Sequence, residues 1–197
     1  MSEIVVVTNR KLCRENFFDR IEKLLDAGVD KIILREKDMK PAEYRDLAKR
    51  VIRICDNYET DLILHNYIDI AIELNHPKIH LPIPRLRAIN QFNMIGVSCH
   101  SLKDVEIAEK FNASYITFGH VFPTDCKKNL EPRGLESLRD ICRNTVLPVY
   151  AIGGMTSNNY KDVLKAGANG CAIMSSAMMS HDPKKLIKEF KEVEDLI

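Results

Sequence analysis

The sequence predicts an α/β fold, a single-domain (β/α)8 TIM barrel over residues 1–197. Three observations lead to it. Short apolar runs alternate with helix-period stretches eight times, and the connections between them are short. The runs are apolar on both faces, as strands of a parallel sheet covered by helices are. Eight such units close into a barrel near the short end of its usual size of roughly 200 to 400 residues. An open doubly wound sheet is the rival, and no G-x-G-x-x-G fingerprint after the first run supports it.

The first strand is the run from Ile4 to Val7, ended by Thr8-Asn9-Arg10. Asn16 then precedes a helical pattern through Phe17, Ile21, Leu24 and Leu25 that stops at Ala27-Gly28. Lys31-Ile32-Ile33-Leu34 is the second strand, and Pro41 opens a long amphipathic helix reaching about Tyr58. Asp61 to His65 is the third strand, with a helix through Ile70 and Leu74 behind it. Lys78 to Leu81 is the fourth, stopped by Pro82 and Pro84, and a short helix is expected over Leu86–Gln91. Asn93 to Ser98 is the fifth, and Ser101 N-caps the helix carrying Val105, Ala108 and Phe111. Ser114 to Thr117 forms the sixth, breaking at Gly119, and the helix of Leu135, Leu138 and Ile141 follows its loop. Leu147 to Ile152 is the seventh, ended by Gly153-Gly154, with Thr156 capping the next helix. Gly170 to Met174 is the eighth, and Asp182-Pro183 starts the last helix.

Composition narrows the partners. A formal net charge of +1 argues against nucleic acid or an acidic membrane held by bulk charge. No apolar segment reaches the roughly 18 residues a spanning helix needs, and no leader pattern follows Met1-Ser2-Glu3. The six cysteines are scattered without a C-x-x-C pair, which suits a reducing, cytoplasmic compartment. Cys55, Cys99 and Cys171 lie in apolar runs and read as core, whereas Cys126 sits in a Lys-flanked loop. Homo-oligomerisation is compatible with all of this.

In such barrels chemistry collects at the C-terminal strand ends. Those ends carry Arg35-Glu36-Lys37, His65-Asn66, Ser98-Cys99-His100, His120, Gly153-Gly154 and Ser175-Ser176. Gly153-Gly154 permits close backbone approach and Ser175 adds a hydroxyl, so the last two ends are the expected phosphate site. Arg35 and Lys37 suit an anionic substrate, unless they form a salt-bridged rim with Glu36 and Asp38. No pair of carboxylates converges on the strand ends, so a site of hard oxygen ligands for a divalent metal is poorly supported. His65, His80 and His100 read as hydrogen-bonded core or rim histidines rather than metal ligands.

Several motifs together resemble the thiamine phosphate synthase/TenI family over essentially the whole chain. They are Leu34-Arg35-Glu36-Lys37, Ile68-Asp69-Ile70-Ala71, the stretch from Ile95 to Ser101, Gly119 through Lys127, and Ala151-Ile152-Gly153-Gly154-Met155. The resemblance implies a (β/α)8 barrel binding a thiazole phosphate. Its synthase branch joins a pyrimidine diphosphate to that thiazole with the help of Mg²⁺. This sequence departs from that branch. Asn66 stands where the branch has a metal-binding Asp, and no acid follows His80 as far as Arg85. Ile33 replaces a Gln, and His120 replaces a Pro.

The stretch Gly119-His120-Val121-Phe122, with Thr124-Asp125-Cys126-Lys127-Lys128, instead looks like the TenI branch. The function this implies is a thiazole tautomerase, an isomerase that aromatises a thiazole carboxylate phosphate by moving a proton, with no cofactor and no metal. By that resemblance His120 is the catalytic acid/base, a role suited to imidazole. Arg35, Lys37, Asn66, Ser98, Thr124 and Lys127 would bind substrate, and Gly153, Gly154, Met174 and Ser175 its phosphate. Two other readings stand beside it: the Mg²⁺-dependent synthase, a transferase, and a non-catalytic regulatory barrel. The regulatory barrel ranks last, since no basic helix-turn-helix face is present.

Overall fold

Each apolar run becomes a strand because it can bury both of its faces, one against helices and one inside the ring the strands close. The computed structural model describes residues 2–87, 91–128 and 130–194. Its strands are β1 (Glu3–Val7), β2 (Lys31–Leu34), β3 (Asp61–His65), β4 (Lys78–Pro82), β5 (Met94–Cys99), β6 (Tyr115–Gly119), β7 (Val149–Ile152) and β8 (Gly170–Ile173). They pair in sequence order, and the parallel pairing of β8 with β1 closes the barrel. The helices are α1 (Phe17–Asp26), α2 (Pro41–Cys55), α3 (Ile68–Glu73), α4 (Leu102–Lys110), α5 (Gly134–Arg143), α6 (Ser157–Lys165), α7 (Ser175–Met179) and α8 (Pro183–Glu194).

The helix starts follow from local chemistry. The Asn16 side chain accepts the Phe18 N–H at 2.9 Å, and Ser101 accepts that of Asp104 at 3.2 Å. Asn159 reaches back to accept the Thr156 N–H at 3.0 Å, and Asp182 accepts that of Lys185 at 2.9 Å. Each satisfies a donor that the helix itself leaves open.

Alternation along the strands separates two cores. Ile4, Val6, Ile32, Leu34, Leu62 and Leu64 face outward against Ile21, Leu24, Tyr44 and Val51 of the helices. Val5, Val7, Ile33, Ile63, Tyr115, Tyr150 and Ala172 fill the barrel interior. Burying each aliphatic side chain of this kind stabilises the fold by roughly 1.5 to 3 kcal/mol. The interior is closed at the N-terminal end by charge rather than hydrocarbon. There Lys31 pairs with Glu3, Lys78 with Asp61, and the Tyr150 hydroxyl donates to Glu3.

Three local expectations change. The helix expected over 86–91 is not seen at 86, 87 or 91, and 88–90 lie outside the described residues. The prolines that stop β4 instead tighten the chain into a 3-10 turn, Ile83–Arg85. The sixth strand runs on through Phe118 to Gly119, because its pairing with β7 extends to Ile152. A short helix, α7, directly follows the eighth strand, where only a polar strand end was expected.

Candidate active site

The C-terminal end of the barrel is assembled around a buried acid. Glu36 is 2% exposed and lies between the two cations Arg35 and Lys37 in sequence. It pairs with neither. Its carboxylate accepts the Thr8 hydroxyl at 2.7 Å, the Arg10 N–H at 3.0 Å and the Arg10 guanidinium at 3.2 Å. Arg10 and Lys11 also hold Asp38, at 2.6 and 2.9 Å. The salt-bridged rim therefore forms, with Arg10 and Lys11 as its cations. Arg35 and Lys37 take no part in that rim, and the Arg35 backbone N–H is fixed by the Thr8 oxygen at 2.9 Å.

Those two cations share a field with Lys127. Burial lowers the pKa of Arg35. The Arg35 charge, then burial, then Lys127 lower that of Lys37. Burial, Arg133 and Arg35 lower that of Lys127. The Arg35 charge thus bears on both lysines, a concentration of like charge that an anion in their midst relieves. Lys127 owes its place to Thr124, whose hydroxyl accepts the Cys126 N–H at 3.4 Å and caps the 3-10 turn Asp125–Lys127. Arg133 is turned back to the strand end, donating from Nε to the Gly119 carbonyl at 3.1 Å.

Opposite this cluster lies a backbone cradle. Gly153 and Gly154 have φ of +99° and +66°. A Cβ at Gly153 would stand 2.3 Å from the His120 Cβ, and one at Gly154 would stand 2.5 Å from the Pro123 oxygen. Only glycine allows the β6 loop to lie so close to the β7 turn. Met174 and Ser175 open α7 beside them, with first-turn N–H groups that helix geometry leaves open. His120 itself is 5% exposed, and its Nε2 lies 3.2 Å from the Leu130 carbonyl.

Asn66 takes a left-handed conformation, φ +71°, and its N–H donates to the His80 carbonyl at 3.0 Å. It lines an outer cleft with Tyr67, Asp69, Pro84 and Arg85. Ser98 sits deeper, with Oγ 2.8 Å from His80 Nε2. His80 Nδ1 in turn lies 3.0 Å from the Tyr115 hydroxyl. Sequence reasoning placed His80 correctly as a bonded core histidine but missed this chain. Gly96 was the available signal, a glycine in mid-strand that makes room for two rings.

The donors present do not fit the Mg²⁺ that the synthase branch uses. Among the described residues no three His, Cys, Asp or Glu side chains gather. Glu36 is the buried carboxylate at this end, and both its oxygens are engaged by Thr8 and Arg10. The outer cleft offers Asp69 as its single carboxylate, beside Asn66 and Arg85, short of the several anionic oxygens that hold Mg²⁺.

The profile of the family described as Thiamine monophosphate synthase (TMP-TENI) matches residues 4–177. The chain belongs to this family. It is 34% identical to the putative thiamine-phosphate synthase 2 of Aquifex aeolicus, covering 89% of this chain and 97% of that protein. It is 33% identical to the thiamine-phosphate synthase of Pyrococcus abyssi, covering 97% and 94%. The solved structure of thiamine phosphate pyrophosphorylase from Pyrococcus furiosus superposes with a TM-score of 0.85 at 28% identity, covering 99% and 96%. The barrel of 3-hexulose-6-phosphate synthase, at 14% identity and a TM-score of 0.72, shares the fold alone.

These similarities correct the tautomerase reading. Relatives about a third identical over nearly the whole chain carry the synthase name, a transferase and not an isomerase. The reaction for which His120 was expected to move a proton goes with it. No described helix is long and apolar enough to cross a membrane.

Proposed function

We propose that this chain is a transferase of the thiamine phosphate synthase type. It joins a pyrimidine, activated as its diphosphate, to a thiazole phosphate, and it works in the cytoplasm. The observation that carries the reading is the Arg35–Lys37–Lys127 cluster, in which the Arg35 charge bears on both lysines while the neighbouring acids are tied to Arg10 and Lys11. Such a cluster suits a group that leaves with its negative charge.

The exchange breaks the carbon–oxygen bond to diphosphate, whose oxygen keeps the electron pair, and forms a carbon–nitrogen bond to the thiazole. Arg35, Lys37 and Lys127 hold the departing anion. Gly153, Gly154, Met174 and Ser175 offer backbone N–H groups and a hydroxyl for the thiazole's phosphate. Asn66 and Thr124 shape the two loops at the mouth, and Ser98 meets the substrate from below.

Incubating the purified protein with the two substrates, with and without added Mg²⁺, and measuring thiamine phosphate and released diphosphate tests the reading. Formation of both in equal amounts supports it. Absence of product in either condition overturns it.

A further inference from the structure

Below the cation cluster the barrel holds a hydrogen-bonded chain of a different character. His80 on β4, Gly96 on β5 and Tyr115 on β6 are register neighbours, His80 opposite Gly96 and Gly96 opposite Tyr115. Because Gly96 has no side chain, the two rings meet across it. A Cβ there would fall 2.1 Å from Tyr115 Cζ and 2.5 Å from His80 Nδ1. Ser98 lies two residues further along β5, on the same inward face and nearer the mouth, and is partly exposed.

The direction of the chain follows from donor and acceptor counting. Tyr115 is 2% exposed, and burial first, then Tyr150 and the acids Asp61 and Glu3, pushes its phenol pKa well up, so its O–H stays protonated. That O–H must donate, and His80 Nδ1 at 3.0 Å is the acceptor it meets. Nδ1 then carries no proton. Burial brings the imidazole's pKa down to about 3, so the ring is neutral and its single N–H is at Nε2. Nε2–H points to Ser98 Oγ at 2.8 Å. With that lone pair taken, the Ser98 hydrogen is directed away from His80.

We propose that Tyr115 and His80 act as positioning residues that fix Ser98 as a hydrogen-bond donor to a neutral acceptor, a ring nitrogen of the pyrimidine substrate. The proposal rests on the transferase reading. It makes the site a well sorted by polarity: a rim of three cations for the diphosphate, and an uncharged floor with one oriented donor for the ring. A charged histidine at the floor would add to the cations above it; a neutral, tautomer-locked one does not. His65, stacked on His80 with centroids 5.9 Å apart and likewise held neutral by burial, extends the uncharged floor towards β3.

The test combines spectroscopy with kinetics on the full chain. ¹⁵N-labelled histidine spectra, with the His80 signal assigned by its loss in His80→Gln, report the tautomer directly. The expected result is Nε2–H in the wild type and loss of that fixed tautomer in Tyr115→Phe. Tyr115→Phe and Ser98→Ala should each lower kcat/KM for the pyrimidine diphosphate about tenfold, the size of one hydrogen bond, and the double variant should lose no more than either. Inhibition by inorganic diphosphate, a property of the rim, should be unchanged in both. A wild-type Nδ1–H tautomer overturns the proposal, as do fully additive losses or an unaffected Tyr115→Phe. If the wild type makes no thiamine phosphate, the transferase reading fails by itself, and the tautomer spectrum still decides whether the relay exists.

Discussion

The carboxylate of Glu36 accepts the hydroxyl of Thr8 at 2.7 Å, and the same Thr8 oxygen accepts the backbone N–H of Arg35 at 2.9 Å. The two residues thereby bolt the end of β1 to the end of β2, and they set where Arg35 enters the pocket. Glu36→Ala leaves the Thr8 hydroxyl and the Arg10 N–H without their acceptor in a buried place. The expected loss of stability is about 2 kcal/mol, on the scale for leaving a buried donor unsatisfied, since the half-buried Arg10 keeps Asp38. Urea unfolding followed by circular dichroism measures it, and a loss under 1 kcal/mol would show that the clamp is dispensable.

The cations above this clamp should bind diphosphate in a salt-dependent way. Arg35→Ala should weaken inorganic diphosphate binding by roughly thirtyfold, corresponding to about 2 kcal/mol for a truncated charge contact. Isothermal titration at low and high ionic strength checks both the size and the screening. Equal affinity in the variant would place the anion elsewhere.

Lys37 gives the cluster a signature in alkaline stability. Its folded-state pKa is lowered, first by Arg35, so the unfolded chain holds that proton more tightly. A group of this kind opposes folding while it is charged, and the opposition lifts as pH rises towards the ordinary lysine value of about 10.4. Lys37→Met should therefore show a smaller gain, or a larger loss, than the wild type across that window. Denaturant midpoints measured between neutral and alkaline pH give the comparison.

His80 gives a dependence of the same sign at acid pH. Its folded pKa is about 3, whereas the unfolded imidazole titrates near 6.5. Between these values the unfolded chain takes up a proton that the folded chain refuses, so stability falls as pH falls through that interval. His76 and His100 are also lowered and add to the same limb. His80→Gln should flatten the slope by up to one proton; an unchanged slope would mean that His80 is already solvated.

Gly96 is a tight position in the interior, where a Cβ would stand 2.1 Å from Tyr115 Cζ. Gly96→Ala would drive a methyl into the Tyr115 ring, and overpacking of this kind costs typically 1 to 3 kcal/mol. Shrinking the neighbour with Tyr115→Val in the same chain should recover part of that loss. Thermal unfolding of the single and double variants decides it.

The barrel was legible because its signal is repeated. Eight apolar runs, each flanked by a helical period, constrain one another, so a misjudged element such as the helix expected over 86–91 leaves the architecture intact. The site was legible only as a set of strand ends. Periodicity tells which residues share a face, but not that Glu36 turns to Arg10 and Thr8 instead of Arg35, or that His80 finds Tyr115 35 positions away. The functional reading leaned on single substitutions, above all His120. In the fold that imidazole lies against the Leu130 carbonyl, where it ties the loop to the end of β6. One polar residue can serve a loop as readily as a reaction, while similarity along nearly the whole chain reflects many contacts at once.

The ionic seal formed by Glu3, Lys31, Asp61 and Lys78 has a consequence for traffic. It makes the barrel a cup and not a pipe. Whatever settles on the floor above His80 arrives and departs through a single doorway, and the posts of that doorway are Arg35, Lys37 and Lys127. Every anion that enters or leaves must cross the same threshold, so one that lingers there blocks the next arrival.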